Sequence, residues 1–428
     1  VVGDAIKFAK KLAKKYKTKA VVYKEYGTAL VPIGDYKCEF VGTRKEEYKP
    51  DSRKPKVTEG TLEDDLKRRD FTCNALAASL NEDSFGELID HFGGKRDIGA
   101  NILRTPLDPF TTFSDDPLRM MRAARFASQL YFDIDSACLK AIKQMNERIK
   151  IVSQERISDE FLKILASPKP SFGLKILHET GLLKYVFPDL EKLSGVEIVH
   201  DGNKRWGHKD VFVHSLQVLD NVAEQSENLW LRFAALVHDI AKPVTKKYVQ
   251  ETGWTFHGHE EFGARRMEKI FRDMKFPLDK LPYVEKLVRL HQRPMVLVDD
   301  GVTDSAVRRL AFHAGDALED LFVLCRADIT TRDVAKSKRY MRNYDKISRK
   351  VMEVQEKDKL REFQSPVKGE EIMEICGIEP SRSVGIMKTA IEEAILDGII
   401  PNEYEPAKEY FLANKEEWLK KINAGEWT

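Results

Sequence analysis

The order of apolar and polar positions predicts a mixed first segment followed by a helical remainder. Residues 5–18 place apolar side chains at helical spacing with a lysine-rich outer face, and strand-like runs at 19–33 and 36–43 flank a glycine turn. From about residue 116 onward the spacing is almost entirely helical. We therefore expect an α+β fold, with a small head containing a β-sheet and then an all-α neck, body and tail.

Shorter segments refine this outline. Residues 44–62 are polar with two prolines and predict a loop, residues 63–80 have a helical pattern, and residues 85–94 predict a short strand followed by a glycine turn. Residues 365–428 predict two or three short helices. The expected domains are a head at 1–98, a helical neck and body at 99–196, a helical block with its own polar cluster at 197–350, and a helical tail at 351–428.

Charge is balanced overall but unevenly placed. The 71 Lys and Arg residues and 69 Asp and Glu residues leave a net charge of +2, which excludes a simple polycationic coat protein. Residues 1–350 carry a net +9 and residues 351–428 a net −7. This asymmetry indicates a polyanion-binding body with an acidic tail, although ordinary scatter of surface charge is the alternative.

The cysteines and the hydropathy exclude two further classes of protein. The five cysteines lie far apart without a CxxC pair, which argues against a disulfide framework and a thiolate zinc site and is typical of a reducing cytosol. We therefore expect a cytoplasmic protein. No apolar run approaches ~18 residues, so we expect no membrane-spanning helix, and no signal peptide opens the chain.

Two arginines beside an acid precede a predicted apolar helix at 73–80. In Arg68-Arg69-Asp70, a guanidinium can hold phosphate oxygens with its planar fork, and the carboxylate can accept from a ribose hydroxyl. Arg69 and Asp70 are therefore candidate nucleotide contacts. The alternative is a surface ion-pair cluster at the start of a helix.

A second motif combines a helix start with an arginine stripe. Asp116 before Pro117 is a good N-cap, and Arg119, Arg122 and Arg125 recur at i, i+3 and i+6, which we interpret as one helix face. Cations without interleaved acids indicate a triphosphate or an RNA backbone as ligand. Asp116 and Arg119 could also meet the edge of a base. In the alternative, Asp116 is only a cap and the arginines are solvated.

A set of histidines and aspartates in the third domain has the donor types of a divalent-metal site. The adjacent pair follows an apolar helix, so both side chains can turn toward one ion. The four residues are His214, His238, Asp239 and Asp328.

Residues 326–350 form a candidate RNA contact. They hold nine positive and three negative groups, with Tyr340 and Tyr344 at i and i+4, which favours a phosphate-backbone track with stacking. A solvated helix is the alternative. The expected phosphate contacts are Lys338, Arg339 and Arg342.

These motifs carry a family resemblance. RRDFTCNAL, DHFGG, DDPLRMMRAARFA and ERISDEF, in this order, resemble the motifs of class II tRNA nucleotidyltransferases and bacterial poly(A) polymerases, and residues 366–402 are similar to the C-terminal part of bacterial members. The resemblance implies a head, neck, body and tail. It also implies addition of CMP and AMP from CTP and ATP to the 3′ end of tRNA, without a nucleic-acid template.

The resemblance also implies roles for single residues. Arg69 would contact the triphosphate, Asp70 the ribose hydroxyls, and Asp116 with Arg119 the edge of the incoming C or A. The phosphates would be held by Arg122 and Arg125.

Other matches concern movement and bracing. Asp90 through Gly94 matches the hinge that lets the head move as specificity switches from C to A, and Glu155 with Arg156 matches the motif that braces the neck. Asp115 stands where the family usually has Glu.

One family motif departs from this pattern. The two-Mg²⁺ site of the family rests on an Asp-x-Asp pair after a Gly-Gly segment, and the printed chain lacks that pair. We expect it in an N-terminal extension. Glu39, on a predicted strand, is the candidate for a third supporting carboxylate, with an outward-facing strand residue as the alternative.

The metal-donor set resembles the signature of HD-domain phosphohydrolases. The resemblance implies a divalent metal (Mn²⁺, Ni²⁺, Mg²⁺ or Fe²⁺) and phosphodiesterase or phosphatase activity on damaged or cyclic RNA 3′ ends. Lys242 would neutralise a phosphate, and further ligands would come from His257, His259 and His291. The alternative is a degenerate domain retained as scaffold.

Several functions remain open at this point. A poly(A) polymerase, a hydrolase with an inactive head and a non-catalytic tRNA-binding protein are alternatives to CCA addition, and the polar segment 44–62 favours C addition. The expected partners are the tRNA 3′ end, CTP and ATP, with no membrane and no predictable protein partner.

Overall fold

The computed structural model describes residues 1–24, 27–49, 52–196, 210–249, 253–299, 303–331, 333–358, 365–424 and 427. The chain forms two compact units. The first comprises Val1–Leu229 with Lys269–Pro277, and the second Trp230–Glu268 with Leu278–Thr428. Within the described ranges, no helix is both long enough and apolar enough to cross a membrane.

The first unit opens with a helix packed on a small sheet. Helix α1 (Ala5–Lys15) begins after Asp4, whose carboxylate accepts from the Lys7 amide. The antiparallel strands β1 (Val21–Tyr23), β2 (Thr28–Ile33) and β3 (Tyr36–Val41) follow in that order. Small buried side chains let helix and sheet approach closely, namely Ala9, Ala13, Ala29 and Val31. The predicted helix, the strand at 36–43 and the glycine turn are confirmed here, whereas the run at 19–33 forms two strands, β1 and β2.

The loop predicted at 44–62 is wrong. Strands β4 (Arg44–Lys49) and β5 (Ser52–Glu59) pair as an antiparallel ribbon, with Arg44 opposite Glu59 and an irregularity near Glu47. A two-stranded ribbon leaves one edge of each strand unpaired, so it tolerates the missing N–H of a proline. The polar composition concealed the strands because neither needs to face a core.

The helix predicted at 63–80 is only partly present. Helix α2 (Leu62–Lys67) starts at a capping box formed by Thr61 and Asp64. The chain then makes a 3₁₀ turn at Thr72–Asn74 and a short antiparallel pair, β6 (Ala77–Ala78) with β7 (Leu88–Ile89). Phe71 is fully buried. Burial of its ring and pairing with β7 therefore override helical propensity, and the predicted helix at 73–80 is also wrong.

The neck and body are helical, as expected. The elements are α3 (Gly94–Gly99), β8 (Ile102–Leu103), α4 (Pro109–Asp115), α5 (Leu118–Leu130), β9 (Asp133–Ile134), α6 (Ser136–Met145), α7 (Gln154–Leu165), α8 (Pro170–Glu179), α9 (Leu183–Val186), α10 (Pro188–Glu191) and α11 (Val211–Ala223). Strands β8 and β9 are parallel. Helix α5 packs on α7 and α8, so its arginines are placed against other elements.

The rest of the chain contributes the remaining helices and one hairpin, most of them in the second unit. The elements are α12 (Leu229–Val237), α13 (Lys242–Thr245), β10 (Lys247–Val249), β11 (Gly253–Thr255), α14 (His259–Asp273), α15 (Leu281–Leu290), α16 (Arg293–Asp299), α17 (Asp304–Ala314), α18 (Leu318–Ala327), α19 (Val334–Asp358), α20 (Gly369–Cys376), α21 (Arg382–Leu396) and α22 (Tyr404–Asn423). The predicted tail helices are the last three. They enclose their own core, which includes Ile372, Met387, Phe411 and Trp418.

Candidate functional site

The two arginines after α2 share one acid. Arg68 Nη2 lies 2.5 Å from Asp65 Oδ1, and Arg69 Nη2 lies 3.1 Å from Asp65 Oδ2. Burial opposes ionisation of Asp65, but the two guanidiniums outweigh it and lower the pKa of that carboxyl. The Arg69 side chain is 44% exposed, so it remains accessible to a ligand. Sequence reasoning missed Asp65, although its i+3 and i+4 spacing to the arginines was a usable signal.

Asp70 is buried and joins the two arginine motifs. Its Oδ1 accepts from the Phe71 amide at 2.9 Å and from the Asn74 side chain at 3.1 Å. Its Oδ2 accepts from Arg122 Nε at 2.7 Å and lies 2.6 Å from Arg122 Nη2. A carboxylate offers about four lone-pair sites, so these partners satisfy it. The motifs that are 52 residues apart in sequence thus meet in one ion pair.

The other arginines of α5 do not form an open stripe. Arg119 is buried and donates to the carbonyls of Thr112 at 3.2 Å and Arg68 at 2.7 Å. Arg125 pairs with Glu160 at 2.8 Å and lies over the Phe126 ring. Six residues turn a helix by about 600°, so the first and last arginine point about 120° apart. The prediction of one helix face with uncompensated cations is therefore wrong. Acids distant in sequence pair with Arg122 and Arg125, and backbone carbonyls accept from Arg119.

Asp116 links the start of α5 to α7. The sequence predicts Asp116 as the N-cap and Pro117 as the first helical residue, but Pro117 takes the N-cap position and α5 begins at Leu118, one residue later. The Leu118 amide still donates to Asp116 Oδ1 at 3.2 Å. Arg156 Nη2 lies 3.2 Å from Asp116 Oδ2. Glu155 is exposed in the first turn of α7. Burial raises the pKa of Asp115, and Arg119 opposes that shift.

The segment from Asp90 to Gly94 packs directly behind Asp70. Asp90 accepts from the amides of Gly94 at 2.7 Å and Lys95 at 2.9 Å, which fixes the start of α3. A Cβ on Gly94 would lie 2.3 Å from the Thr72 carbonyl oxygen, so only glycine fits there without movement. The buried Asp97 accepts from the Thr72 hydroxyl at 2.8 Å. Helix α3 therefore supports the chain next to Asp70.

Glu39 lies exposed on β3, opposite Leu30. Among the described residues, the groups of three or more donors close enough to hold a metal lie outside the head. The structure thus places Glu39 where its strand was predicted, without a donor group around it. The two-metal chemistry of the family has no donor set in the described part of the head.

Helix α19 presents the predicted cations but not both aromatic rings. Lys338, Arg339 and Arg342 are exposed. Tyr340 is partly exposed beneath Arg339, whose guanidinium carbon lies 5.4 Å from the ring centroid. Tyr344 is 3% exposed, so its expected stacking role is wrong. It faces the interior because its spacing from the buried Ile347 follows the apolar side of the helix.

A histidine centre is built in the second unit around Asp239. His238 and Asp239 follow the last residue of α12, and both are 1% exposed. His238 Nε2 lies 3.2 Å from Asp239 Oδ2 and 3.6 Å from Asp328 Oδ1. His214 lies on α11 in the first unit. The structure therefore brings three of the four predicted residues together in one unit.

Two further histidines complete this centre. His259 Nε2 lies 3.2 Å and His291 Nε2 3.8 Å from Asp239 Oδ1. Both side chains are buried, whereas His257 is exposed. The selected donor atoms of His238, Asp239 and His291 all lie within 4.8 Å of one another. The sequence offered His257 and His259 equally, and the fold selects His259.

The three imidazoles are oriented by backbone carbonyls. The Nδ1 atoms of His238, His259 and His291 lie 2.8, 2.8 and 2.7 Å from the carbonyl oxygens of Ala235, Phe256 and Val288. A carbonyl only accepts, so each Nδ1 donates and each neutral ring turns the Nε2 lone pair toward Asp239. A backbone acceptor behind the ring is the usual arrangement of a metal-binding histidine.

At this centre the Nε2 lone pairs of neutral imidazoles thus face carboxylate oxygens, and both are hydrogen-bond acceptors. A cation or protons must therefore lie between them. Burial favours neutral imidazole, but Asp239 and Asp328 outweigh it and raise the pKa of His238 to about 10. Burial and the neighbouring His238 lower the pKa of His291 to about 4. Imidazole nitrogens with carboxylate oxygens suit a divalent transition metal, so these residues fit one.

Lys242 lies at the edge of the histidine centre. Its Nζ is 2.7 Å from Asp239 Oδ2 and 5.6 Å from the centroid of the Phe256 ring. The ammonium therefore already compensates the central carboxylate. Its expected contact with a phosphate remains a prediction.

Family models match three regions of the chain in order. The model described as the poly A polymerase head domain matches residues 1–104, and the model of the probable RNA and SrmB-binding site of polymerase A matches residues 131–193. The HD domain model matches residues 211–333 and so includes all four residues predicted from the sequence.

Relatives of similar sequence are named as CCA proteins or tRNA nucleotidyltransferases. The A-adding tRNA nucleotidyltransferase of Deinococcus radiodurans is 31% identical over 78% of this chain and 75% of that protein. The multifunctional CCA protein of Methylococcus capsulatus is 34% identical over 64% of this chain, and that of Neisseria meningitidis serogroup A is 35% identical over 54%. The matched region spans 63% and 53% of these two relatives.

Solved structures agree on the fold. A CCA-adding enzyme in an apo form has a TM-score of 0.61 at 19% identity, covering 96% of this chain and 85% of that one. The CCA-adding enzyme of Bacillus stearothermophilus in complex with CTP has a TM-score of 0.57 at 21% identity, covering 94% and 85%. The expected α+β head with a helical remainder is thereby confirmed. The chain belongs to the family of tRNA nucleotidyltransferases and bacterial poly(A) polymerases and carries an HD domain.

Proposed function

We propose that this protein is a tRNA nucleotidyltransferase that adds CMP and AMP from CTP and ATP to the 3′ end of tRNA. The observation that carries the proposal is the Asp70–Arg122 ion pair, which joins the two arginine motifs into one cluster in a chain of this family. Arg69, exposed beside this pair, adds a cation for a triphosphate.

Nucleotide binding would proceed by an exchange of partners. The triphosphate draws Arg122 toward its oxygens, with Arg69 and Arg125 adding positive charge. Asp70 then has lone pairs for the ribose hydroxyls. Asp116, held by Arg156, and Arg119, held by two carbonyls, form a rigid edge for the base.

We further propose that the histidine centre is a phosphohydrolase site acting on RNA 3′ ends. His238, Asp239 and Asp328, with His259 and His291, would hold a divalent cation such as Mn²⁺, Ni²⁺, Mg²⁺ or Fe²⁺. Such a cation polarises a phosphate ester and lowers the pKa of bound water. The carbonyls behind the rings orient the Nε2 atoms, and the Asp328 side chain, 31% exposed, marks the open side. The role of His214 stays a prediction.

Incorporation by the full-length protein tests the transferase proposal. A tRNA ending before CCA is incubated with CTP and ATP, singly and together. We expect CC from CTP alone and CCA from both. Addition of A only to a tRNA ending in CC indicates an A-adding enzyme like the Deinococcus relative, and a long A tract indicates a poly(A) polymerase. No incorporation under any condition overturns the proposal.

A further inference from the structure

The hairpin of β10 and β11 carries an aromatic pair in the second unit, with Tyr248 exposed and Trp254 half-buried. All three residues of β10 are exposed, and the Tyr248 side chain is 62% exposed. Tyr248 lies opposite Trp254, with ring centroids 5.2 Å apart at 70°. A two-stranded hairpin has only marginal stability in water, so a partner that stacks on its rings would stabilise it.

Two lysines lie next to the aromatic pair in sequence, and one of them lies against a ring. Lys246 Nζ is 4.1 Å from the centroid of the Trp254 ring, and Lys247 is exposed on β10, where successive side chains point to opposite faces of the strand. Residues 242–249 contain three lysines and no acidic residue. Rings next to cations are the composition that binds single-stranded nucleic acid, because bases stack on the rings and the lysines meet phosphates.

The hairpin is continuous with the histidine centre. Phe256 directly follows β11, and its carbonyl accepts from His259 Nδ1 at 2.8 Å. Lys242 lies between the Phe256 ring and Asp239, at 5.6 Å and 2.7 Å respectively. The hairpin that carries Tyr248 and Trp254 therefore runs directly into the segment that orients His259.

We propose that this hairpin binds the single-stranded 3′ end of an RNA and delivers its terminal nucleotide to the histidine centre. Tyr248 and Trp254 stack on bases, while Lys246 and Lys247 contact phosphates. The inference rests on the proposed hydrolase function and adds to it the element that makes the end of an oligoribonucleotide a better substrate than a free mononucleotide.

Two substrates test this inference with the full chain. One is 2′,3′-cyclic AMP, and the other is a short oligoribonucleotide ending in a 2′,3′-cyclic phosphate. We expect Tyr248→Ala combined with Lys246→Ala to lower kcat/KM for the oligoribonucleotide roughly tenfold, through KM, while the mononucleotide is hydrolysed as before. Tyr36→Ala, which removes a 77% exposed ring from the head, is the matched control. An equal loss on both substrates, or no loss, overturns the inference.

A second measurement separates this inference from the hydrolase proposal. An oligoribonucleotide with a photoactivatable thiouridine in the nucleotide before its 3′-terminal one is crosslinked to the wild-type protein, and the labelled peptides are identified. Crosslinks to Tyr248 or Trp254 support the hairpin even if the wild type hydrolyses neither substrate, in which case the hydrolase proposal alone fails. Crosslinks confined to other segments, or none, overturn the hairpin.

Discussion

The cluster around Asp70 and the centre around Asp239 are both built on one buried aspartate, yet their polar atoms are matched differently. Asp70 meets only hydrogen-bond donors, namely the Phe71 amide, the Asn74 side chain and the Arg122 guanidinium. Asp239 meets the Lys242 ammonium and three imidazole Nε2 atoms, and the Nδ1 atoms of these imidazoles already donate elsewhere. The first cluster is complete by itself, and in the proposed function it exchanges partners to bind a ligand. The second leaves imidazole and carboxylate acceptor atoms facing one another, which the proposed cation would satisfy.

The largest expected effect comes from removing one imidazole of the Asp239 centre. His238→Ala removes one converging nitrogen, so bound metal and hydrolysis of a 2′,3′-cyclic substrate should fall at least about 100-fold, while nucleotide addition is retained. Metal analysis and phosphate-ester hydrolysis measure this. His257→Ala is the control, because that imidazole is exposed and should leave both values unchanged. Equal losses in both variants would contradict the assignment.

A smaller effect is expected when Asp70 loses its arginine partner. Arg122→Met leaves Asp70 buried without its counter-charge, so the free energy of unfolding should fall. The expected fall is about 2 kcal/mol, less than for a fully buried pair, because Arg122 is one third exposed. Adding Asp70→Asn to this variant should restore part of the loss. Urea unfolding measures both values.

The matched control for this pair is an exposed ion pair. Lys269→Met removes the partner of Asp273, where both side chains are more than half exposed, and the unfolding midpoint should not change. If Arg122→Met is as harmless as this control, the Asp70 cluster is not the closed arrangement described above.

An effect of similar size concerns Gly94, which supports the chain next to Asp70. Gly94→Ala places a Cβ against the Thr72 carbonyl and should destabilise the protein by about 1–3 kcal/mol, with a higher KM for nucleotide if Asp70 moves. Gly99→Ala, in the same helix and facing open space, should change stability by less than about 1 kcal/mol. Equal thermal shifts in the two variants would argue against the close approach.

Local patterns in the sequence were sufficient for several features. The helical period predicted the neck and the tail helices, and the Asp116 position predicted the start of α5 to within one residue. The His238-Asp239 pair was correctly placed at the end of an apolar helix. Each of these depends on neighbours within a few residues, which is the range over which periodicity and capping act.

Only the tertiary structure decided which charges meet and which rings converge. The strands of 44–59 became visible only through their mutual pairing, and Glu160 is 35 positions from the Arg125 that it compensates. His259 and His257 are equivalent in sequence, but one is buried at Asp239 and the other is exposed. A contact between distant residues depends on how elements pack, and the local pattern carries no record of that packing. The sequence determined the elements and the chemical groups, and packing determined their partners.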